Sequence, residues 1–352
     1  MKTYKKVYIA IDLHSKTSMI GYMNEAGKYM GHQRVATSGV NLINQVVAIP
    51  AEQKHLSVEQ SNMAFWAAEL LRNYVDELIV CDPRYNSLIS GSENKNDNLD
   101  TLRLCRLLRM GELKPIWSPK QLGVRRVFYH QIKEYQRLIK TLSIHKRQLG
   151  DSLRHWGINI KLTDKDYHNP APILKQADST LLHEELATKF SFIQAITAQS
   201  RQQFIRAEQT GSQFWEIAEF QKMSGIGPVG AHTFSGYIQT PHRFARRGQL
   251  IGFCKLGVRS FTSDGKKVRN ERLSKAGHGC LKNLAHVAWK ASLSGDNEVS
   301  GFYRASLARC GNPVHARLNT QRKILITLWS IWKNKQSYNP EKFFSGNGDS
   351  AR

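Results

Sequence analysis

The chain has 352 residues, with 51 Lys and Arg against 28 Asp and Glu, and its formal net charge of +23 points to a polyanionic partner, nucleic acid before an anionic membrane surface. The longest apolar run, Ile324 to Trp332, is interrupted by Thr327 and Ser330 and is too short to span a bilayer. The basic N-terminus lacks a signal-peptide pattern, so a cytoplasmic, nucleoid-associated location and no membrane partner are expected.

In chain order, Lys6 to Ile11 is an apolar run rich in β-branched and aromatic residues, which predicts a buried central strand ending at Asp12. Met19 to Met23 predicts a second strand, Glu25-Ala26-Gly27-Lys28 a turn, and Tyr29 to Val35 a third strand. A helix near Val40 to Ala48, a strand over His55 to Val58, a helix over Ala64 to Tyr74 and a strand over Glu77 to Cys81, ended by Asp82-Pro83, complete a mixed α/β sheet. An amphipathic helix over Leu99 to Met110 follows.

Four acids stand out against this basic background: Asp12, Glu59, Asp97 and Asp100. Asp12 and Glu59 arrive from strand ends. Asp97 and Asp100 are three apart at a helix start, which puts them on one helical face. Carboxylates without Cys or His favour Mg²⁺ or Mn²⁺, and two such ions about 3.5–4 Å apart would activate a nucleophile and steady a leaving oxygen in phosphoryl transfer. Taken singly, each acid also reads as a solvated charge or a helix cap, Asp97 above all. Asp12 resists that reading because it ends an apolar strand.

From Pro119 to Ile158 apolar residues recur at three and four, and a second helical stretch spans Ser179 to Lys222, with an Asp-, Asn- and Pro-rich loop from Thr163 to Pro172 between them. The pattern predicts a helical hairpin or coiled-coil arm, with a plain helical bundle as the alternative. Next comes Met223-Ser224-Gly225-Ile226-Gly227-Pro228, arranged as a helix-hairpin-helix turn that presents backbone N–H groups to a phosphate. Between Pro241 and Lys290 twelve basic residues face two acidic ones, a net +10, interleaved with Gly252, Gly257, Gly265, Gly277 and Gly279, which suit loops pressed against phosphates. The five cysteines have no C-x-x-C spacing and no two of the 13 histidines lie three or four apart, which excludes the usual structural zinc pattern and a disulfide framework. After Ser337, Gly346, Gly348 and Ser350 mark a flexible tail.

The acid quartet with Lys95-x-Asp97-x-x-Asp100, followed by Ser224-Gly225-Ile226-Gly227-Pro228, Leu256-Gly257-Val258, Ser263-Asp264-Gly265-Lys266 and Arg272-Leu273-Ser274-Lys275-Ala276-Gly277, resembles the Piv-like DEDD transposases of bacterial mobile elements, the insertion-sequence-110 family. The likeness covers nearly the whole chain in the family's order. It implies a RuvC-like domain of the RNase H fold at 1–118, a helical arm at 119–217, a mainly helical C-terminal transposase domain at 218–336 and the tail at 337–352. It also implies that Asp12, Glu59, Asp97 and Asp100 hold Mg²⁺ or Mn²⁺, and that Ser263 is a nucleophile passing through a phosphoserine link to DNA. The nucleic-acid contacts would fall to Gly225, Gly227, Lys266, Lys267, Arg269, Arg272 and Lys275. The partners implied are the DNA of element ends and target, a structured guide RNA from the element, and further copies of the chain as a dimer or tetramer. Two departures stand in the motifs: Asn96 where the family commonly has Thr, and Asp264 beside the serine, with Ser260 as a neighbouring hydroxyl. A metal-only nuclease such as a junction resolvase, and a non-catalytic nucleic-acid-binding protein, are the alternative classes.

Overall fold

The computed structural model describes residues 3–82, 97–118, 123–263 and 266–344; the side chains of 97–99, 259–263 and 266–271 fall outside the described set. The chain divides into two compact units, residues 1–122 and 123–352.

The N-terminal unit is built on a five-stranded mixed sheet of order β3-β2-β1-β4-β5. β1 (Tyr4–Leu13), β2 (Thr17–Asn24) and β3 (Tyr29–Ala36) form an antiparallel meander, while β4 (Ala51–Glu59) runs parallel to β1 and β5 (Glu77–Cys81) parallel to β4. Connection length dictates these directions. Four residues, with Gly27 at a φ of 85°, suffice to turn β2 back into β3. A parallel pair needs a crossover, supplied here by α1 (Gly39–Ala48) and α2 (Ala64–Leu71). Each strand predicted from the sequence is present, most of them longer by a few residues.

Alternation along β1 sorts its side chains onto two faces. Val7, Ile9, Ile11 and Leu13 join Leu56, Val58 and Val80 against Leu42 and Val46 of α1 and Ala67 and Leu71 of α2. On the opposite face Ala10, Met23 and Cys81 pack with Leu104, Cys105, Leu107 and Leu108 of α3 (Asp97–Met110). The direction of α3 is set by three contacts. Thr101, fully buried, shares a 2.9 Å hydrogen bond with the Tyr29 hydroxyl and lies against Gly21, where an added Cβ would meet Thr101 Oγ1 at 3.0 Å. Cys105 Sγ sits 3.5 Å from the Gly21 carbonyl, and Arg109 Nε donates to the Glu25 carbonyl at 3.1 Å. Gly21 pairs with Ala10 and Asn24 with Val7, so α3 runs antiparallel to β1 and its first turn lies toward the strand end that carries Asp12.

The second unit begins with two long helices, α4 (Gly123–His155, 33 residues) and α5 (Thr180–Gly211, 32 residues), packed along one another. At one end Phe128, Ile132 and Ala207 enter the main core; at the other Leu149, Leu153, Leu186, Phe190 and Ile193 close a cluster of their own. The segment expected as a loop at the tip holds two short helices, Asp164–His168 and Ala171–Leu174, because the Thr163 N–H and hydroxyl both donate to Asp166, at 2.6 and 2.7 Å, and nucleate a turn. An ion pair anchors the base: Arg125 donates to Glu216 at 2.7 Å and to Ser235 at 2.9 Å, and its guanidinium lies 3.6 Å over the Phe214 ring.

The rest of the unit comprises α6 (Trp215–Gln221), α7 (Pro228–Ile238), α8 (Arg247–Phe253), α9 (Gly279–Ser292), α10 (Glu298–Cys310), α11 (Pro313–Asn334) and α12 (Glu341–Phe344). Asn312 caps α11 by accepting from Val314 and His315, with Pro313 in the first helical position, and Ile324, Leu325, Leu328 and Trp332 then point into the core. The mainly helical expectation leaves out one feature, an antiparallel hairpin of β6 (Val258–Ser263) and β7 (Lys266–Leu273). Inside the stretch expected to be flexible, Tyr338 and Phe343 are buried, Phe343 fully, because two large aromatic side chains find the cleft beside α10 and α11; residues 345–352, with Gly346, Gly348 and Ser350, lie outside the described residues. All five cysteines are free thiols, and among the described residues no helix is long and apolar enough to cross a membrane.

Replacing Phe343 by Ala is expected to destabilise the C-terminal unit by about 3–5 kcal/mol, the usual cost of emptying a buried phenylalanine site. Urea denaturation followed by tryptophan fluorescence measures it; a midpoint unchanged from the parent chain would mean that α12 does not hold the core closed.

Candidate active site and nucleic-acid surface

The ladder between β1 and β4 ends at Ile11 opposite Val58, so the next residues, Asp12 and Glu59, close two neighbouring parallel strands at one level. Alternation turns both away from the Ile11 and Val58 core and toward the face covered by α3. The Asp12 carboxylate is 17% exposed and 3.1 Å from His14 Nε2. Asp100 occupies the first turn of α3, with its carboxylate 4.0 Å from Arg103. Asp97 is the first residue of that helix, and its side chain is outside the described set, as are Lys95 and Asn96 altogether.

Among the described residues no three His, Cys, Asp or Glu side chains group closely enough to hold an ion. Thr101 and Leu104 occupy the sheet-facing stripe of α3, and each helical step turns about 100°, which carries Asp100 to the edge of that stripe. The described carboxylates thus bring Asp12 and Glu59 together and leave Asp100 beside Arg103. Sequence reasoning passed over Asp82 as a mere strand end. It is 4% exposed and follows Cys81, the β5 partner of Glu59.

In the second unit Ser263 ends β6 and pairs with Lys266, the first residue of β7, across the two-residue connection Asp264-Gly265, which is itself outside the described residues. Ser260 sits where the register shifts between Arg259 and Phe261. The base of the hairpin is held by backbone contacts. Ser274 N–H donates to the Gly257 carbonyl at 2.7 Å, His278 N–H to Phe253 at 2.8 Å, and the Leu256 carbonyl accepts from Arg322 Nε and Nη2 at 3.1 and 3.0 Å. Gly277, at a φ of 105°, lies so close to α8 that an added Cβ would fall 2.6 Å from the Gly252 carbonyl and 2.7 Å from that of Phe253. Ser274 Oγ accepts from Ala276 N–H at 3.2 Å, a local turn bond. Arg272 and Lys275 are exposed; Lys266, Lys267 and Arg269 lie on β7 with side chains outside the described set.

The glycine turn between α6 and α7 has a different construction from the phosphate cradle expected of it. Gly225 has a φ of 84° and abuts the Ala288 carbonyl of α9, so packing alone demands a residue without a side chain there. Ser224 donates its N–H and hydroxyl to the Glu298 carboxylate at 2.9 and 2.8 Å, and the Tyr338 hydroxyl joins at 2.7 Å. Burial alone would raise the pKa of Glu298, but these donors outweigh it and hold the carboxyl below its ordinary value. Gly227 is exposed with open space beside it and caps α7, whose first residue is Pro228.

Residues 218–304 match the transposase family described as IS116/IS110/IS902. A curated relative named "Putative transposase y4qE", from Sinorhizobium fredii (strain NBRC 101917 / NGR234), is 21% identical over 306 residues, which is 81% of this chain and 72% of that protein. The chain is thus similar to transposases of the IS110 type over part of its length. The family match runs from α6 into α10 and takes in the glycine turn, the hairpin with Ser263 and the Ser274 to Gly277 base, while the four acids precede it.

Gly225→Ala is expected to cost about 1–3 kcal/mol through its left-handed backbone and its contact with α9, whereas Gly227→Ala costs a few tenths. Thermal melting of the two variants measures the difference; equal melting temperatures would refute the packing account of Gly225.

Proposed function

We propose that the chain is a DNA transposase that excises and inserts a mobile element, with Asp12, Glu59, Asp97 and Asp100 as the carboxylates of a RuvC-like domain and Ser263 as nucleophile. One observation carries the reading: Asp12 and Glu59 end adjacent parallel strands on one face, and α3, which bears Asp97 and Asp100, starts over that same end. Carboxylates at the C-terminal ends of parallel strands are where open α/β sheets carry their sites.

All four acids offer hard oxygen donors, so the donor set suits Mg²⁺ or Mn²⁺ and not a thiophilic ion. When bound, such an ion supplies positive charge to the phosphoryl oxygens and to the departing one. Asp12 and Glu59 would hold that charge at the strand ends, and His14, 63% exposed, lies beside Asp12. Ser263 Oγ attacks the phosphorus, forming a serine O–P bond as the bond to the departing sugar oxygen breaks. The serine proton passes to water and the departing oxygen takes one up. The phosphoserine link conserves the bond energy, so a strand hydroxyl later displaces the serine without any nucleotide cofactor. Ser274, held by its turn bond to Ala276, is a poor substitute.

The net +10 of residues 241–290, with exposed Arg272 and Lys275 and with Lys266, Lys267 and Arg269 on β7, supports this hairpin as the surface that meets phosphates. Gly227, exposed at the start of α7, offers backbone N–H groups to a further phosphate. Gly225 contributes through packing. The basic surface also suits a structured guide RNA, and the reaction at two DNA ends calls for at least a dimer.

Denaturing gels with a nicked suicide DNA, with and without Mg²⁺, test the chemistry. Ser263→Ala is expected to abolish a covalent adduct that Ser260→Ala and Ser274→Ala retain; Mg²⁺-dependent cutting with no adduct in the parent chain would instead identify a metal-only nuclease. Asp12→Asn is expected to abolish cutting while leaving binding intact, since it barely alters the field of +23. Cutting at the parent rate by that variant would remove Asp12 from the site.

Affinity is expected to fall with salt at a log–log slope of about −0.9 for each duplex phosphate neutralised. Changing Lys266, Lys267 and Arg269 together to Gln is expected to make the slope shallower by about two to three units. An unchanged slope would move the phosphate contact elsewhere.

A further inference from the structure

A cavity of about 640 Å³ opens in the C-terminal unit among α8, α10, α11 and α12, well within the usual range of ligand pockets. Its charged walls are Arg247 at the start of α8, Arg309 in the last turn of α10, Arg322 and Lys323 in mid-α11, and Lys342 of α12. Among the described residues that line it, none is acidic. Thr327 and Ser330 add neutral hydrogen-bonding groups one and two turns along α11. Five cations from four helices around one cavity is not the arrangement of a solvated helix face, whose charges point apart.

Lys323 is the most telling of them. It is half-buried, its ammonium 5.8 and 5.6 Å from the Phe302 and Phe343 rings, and both burial and the charge of Arg247 push its pKa below the ordinary lysine value. Arg322 is likewise lowered by burial. Desolvated like charges facing one space destabilise the empty cavity and are relieved by an anion. Arg322 also links the cavity to the hairpin, because the guanidinium that lines it donates two hydrogen bonds to the Leu256 carbonyl, two residues before β6.

We propose that this cavity is a phosphate-binding site that grips the sugar–phosphate backbone of a nucleic-acid strand at the base of the β6–β7 hairpin. The assignment rests on the reading of the chain as a protein acting on nucleic acid, but not on the serine chemistry. Arg247 and Lys323 contact the phosphate oxygens, Arg309 and Lys342 guard the mouth, and Arg322 transmits occupancy to the hairpin base. A bound strand thereby stiffens the segment that leads to Ser263.

The test uses the full chain and fluorescence anisotropy of a labelled single-stranded oligonucleotide across a salt series. Arg247→Gln with Lys323→Gln is expected to weaken binding about tenfold and to flatten the salt slope by about 0.7 for each single-strand phosphate lost. Arg309→Gln with Lys342→Gln, both on exposed positions, is expected to act in the same direction. The charge-matched control, Lys161→Gln with Lys175→Gln on the arm tip, is expected to leave the slope unchanged. A control effect as large as that of the cavity variants, or a slope unmoved by both cavity pairs, overturns the assignment. Melting in millimolar inorganic phosphate against chloride of equal ionic strength separates the sources. Stabilisation by phosphate that the cavity variants lose, while their oligonucleotide binding stays at the parent level, would make this a small-anion site and overturn the nucleic-acid assignment. Should the parent chain form no phosphoserine adduct while the cavity variants still lose binding, the serine chemistry fails and the cavity assignment stands.

Discussion

The parallel pairing of β1 with β4 in a single register is the constraint on which the N-terminal unit turns. A slip of one residue would send Asp12 or Glu59 into the apolar core beneath α1 and α2, where an unpaired carboxylate costs several kcal/mol. The register is enforced by that core itself, since Ile9, Ile11, Leu56 and Val58 bury fully only when they share a face. Hydrophobic packing thus fixes the level of the two acids. The third element obeys the same logic from above. Gly21 allows Thr101 and the Tyr29 hydroxyl to close on the sheet, and that contact decides where along β1 the helix α3 begins.

In the C-terminal unit the corresponding role falls to backbone carbonyls approached by residues without side chains. Gly225 rests on a carbonyl of α9, and Gly277 on two at the end of α8. Both have a positive φ, so a larger residue is excluded twice over, by sterics and by its own backbone preference. The Gly277 contact, with the backbone bonds beside it, anchors the base of the hairpin. The base is further fastened by Arg322, whose two hydrogen bonds to Leu256 draw a charge from α11 beneath the strands.

The sheet was legible because its strands are apolar, short and punctuated: Lys6 to Ile11, Met19 to Met23 and Glu77 to Cys81 all fall inside or coincide with observed strands. The long helices of the arm were legible from their period, although the short helices at its tip were not, since Asp166 nucleates its turn through a side chain and leaves no apolar repeat. The hairpin was missed despite a local signal. Asp264-Gly265 is the pair that favours a two-residue hairpin connection, but the flanking strands are rich in Arg and Lys and carry no apolar alternation to advertise them. The glycine turn was read as a phosphate cradle because Gly-x-Gly before a helix looks alike in either role; only the proximity of Ala288, 63 positions away in the chain, separates packing from binding at Gly225. The cationic cavity was illegible for the same reason: Arg247, Arg309, Lys323 and Lys342 lie far from one another in sequence and meet only through the fold. Asp82 repeats the pattern that made Asp12 noticeable, an acid after an apolar strand, and it drew less notice because Pro83 made it look like a turn.

The clasp of Ser224, Glu298 and Tyr338 has a bearing on how the protein comes into being. It joins residues separated by 74 and 40 positions, and the core around it also needs Phe343. A ribosome delivers these pieces in order, at several residues each second, so helices α6 to α9 emerge long before the partners that cover them. Until Tyr338 and Phe343 leave the exit tunnel, the cleft beside α10 and α11 stays open to water. The nascent C-terminal unit therefore keeps apolar surface exposed until α11 and α12 emerge, and a chain stopped short of Phe343 is expected to be a sticky product instead of a smaller working one.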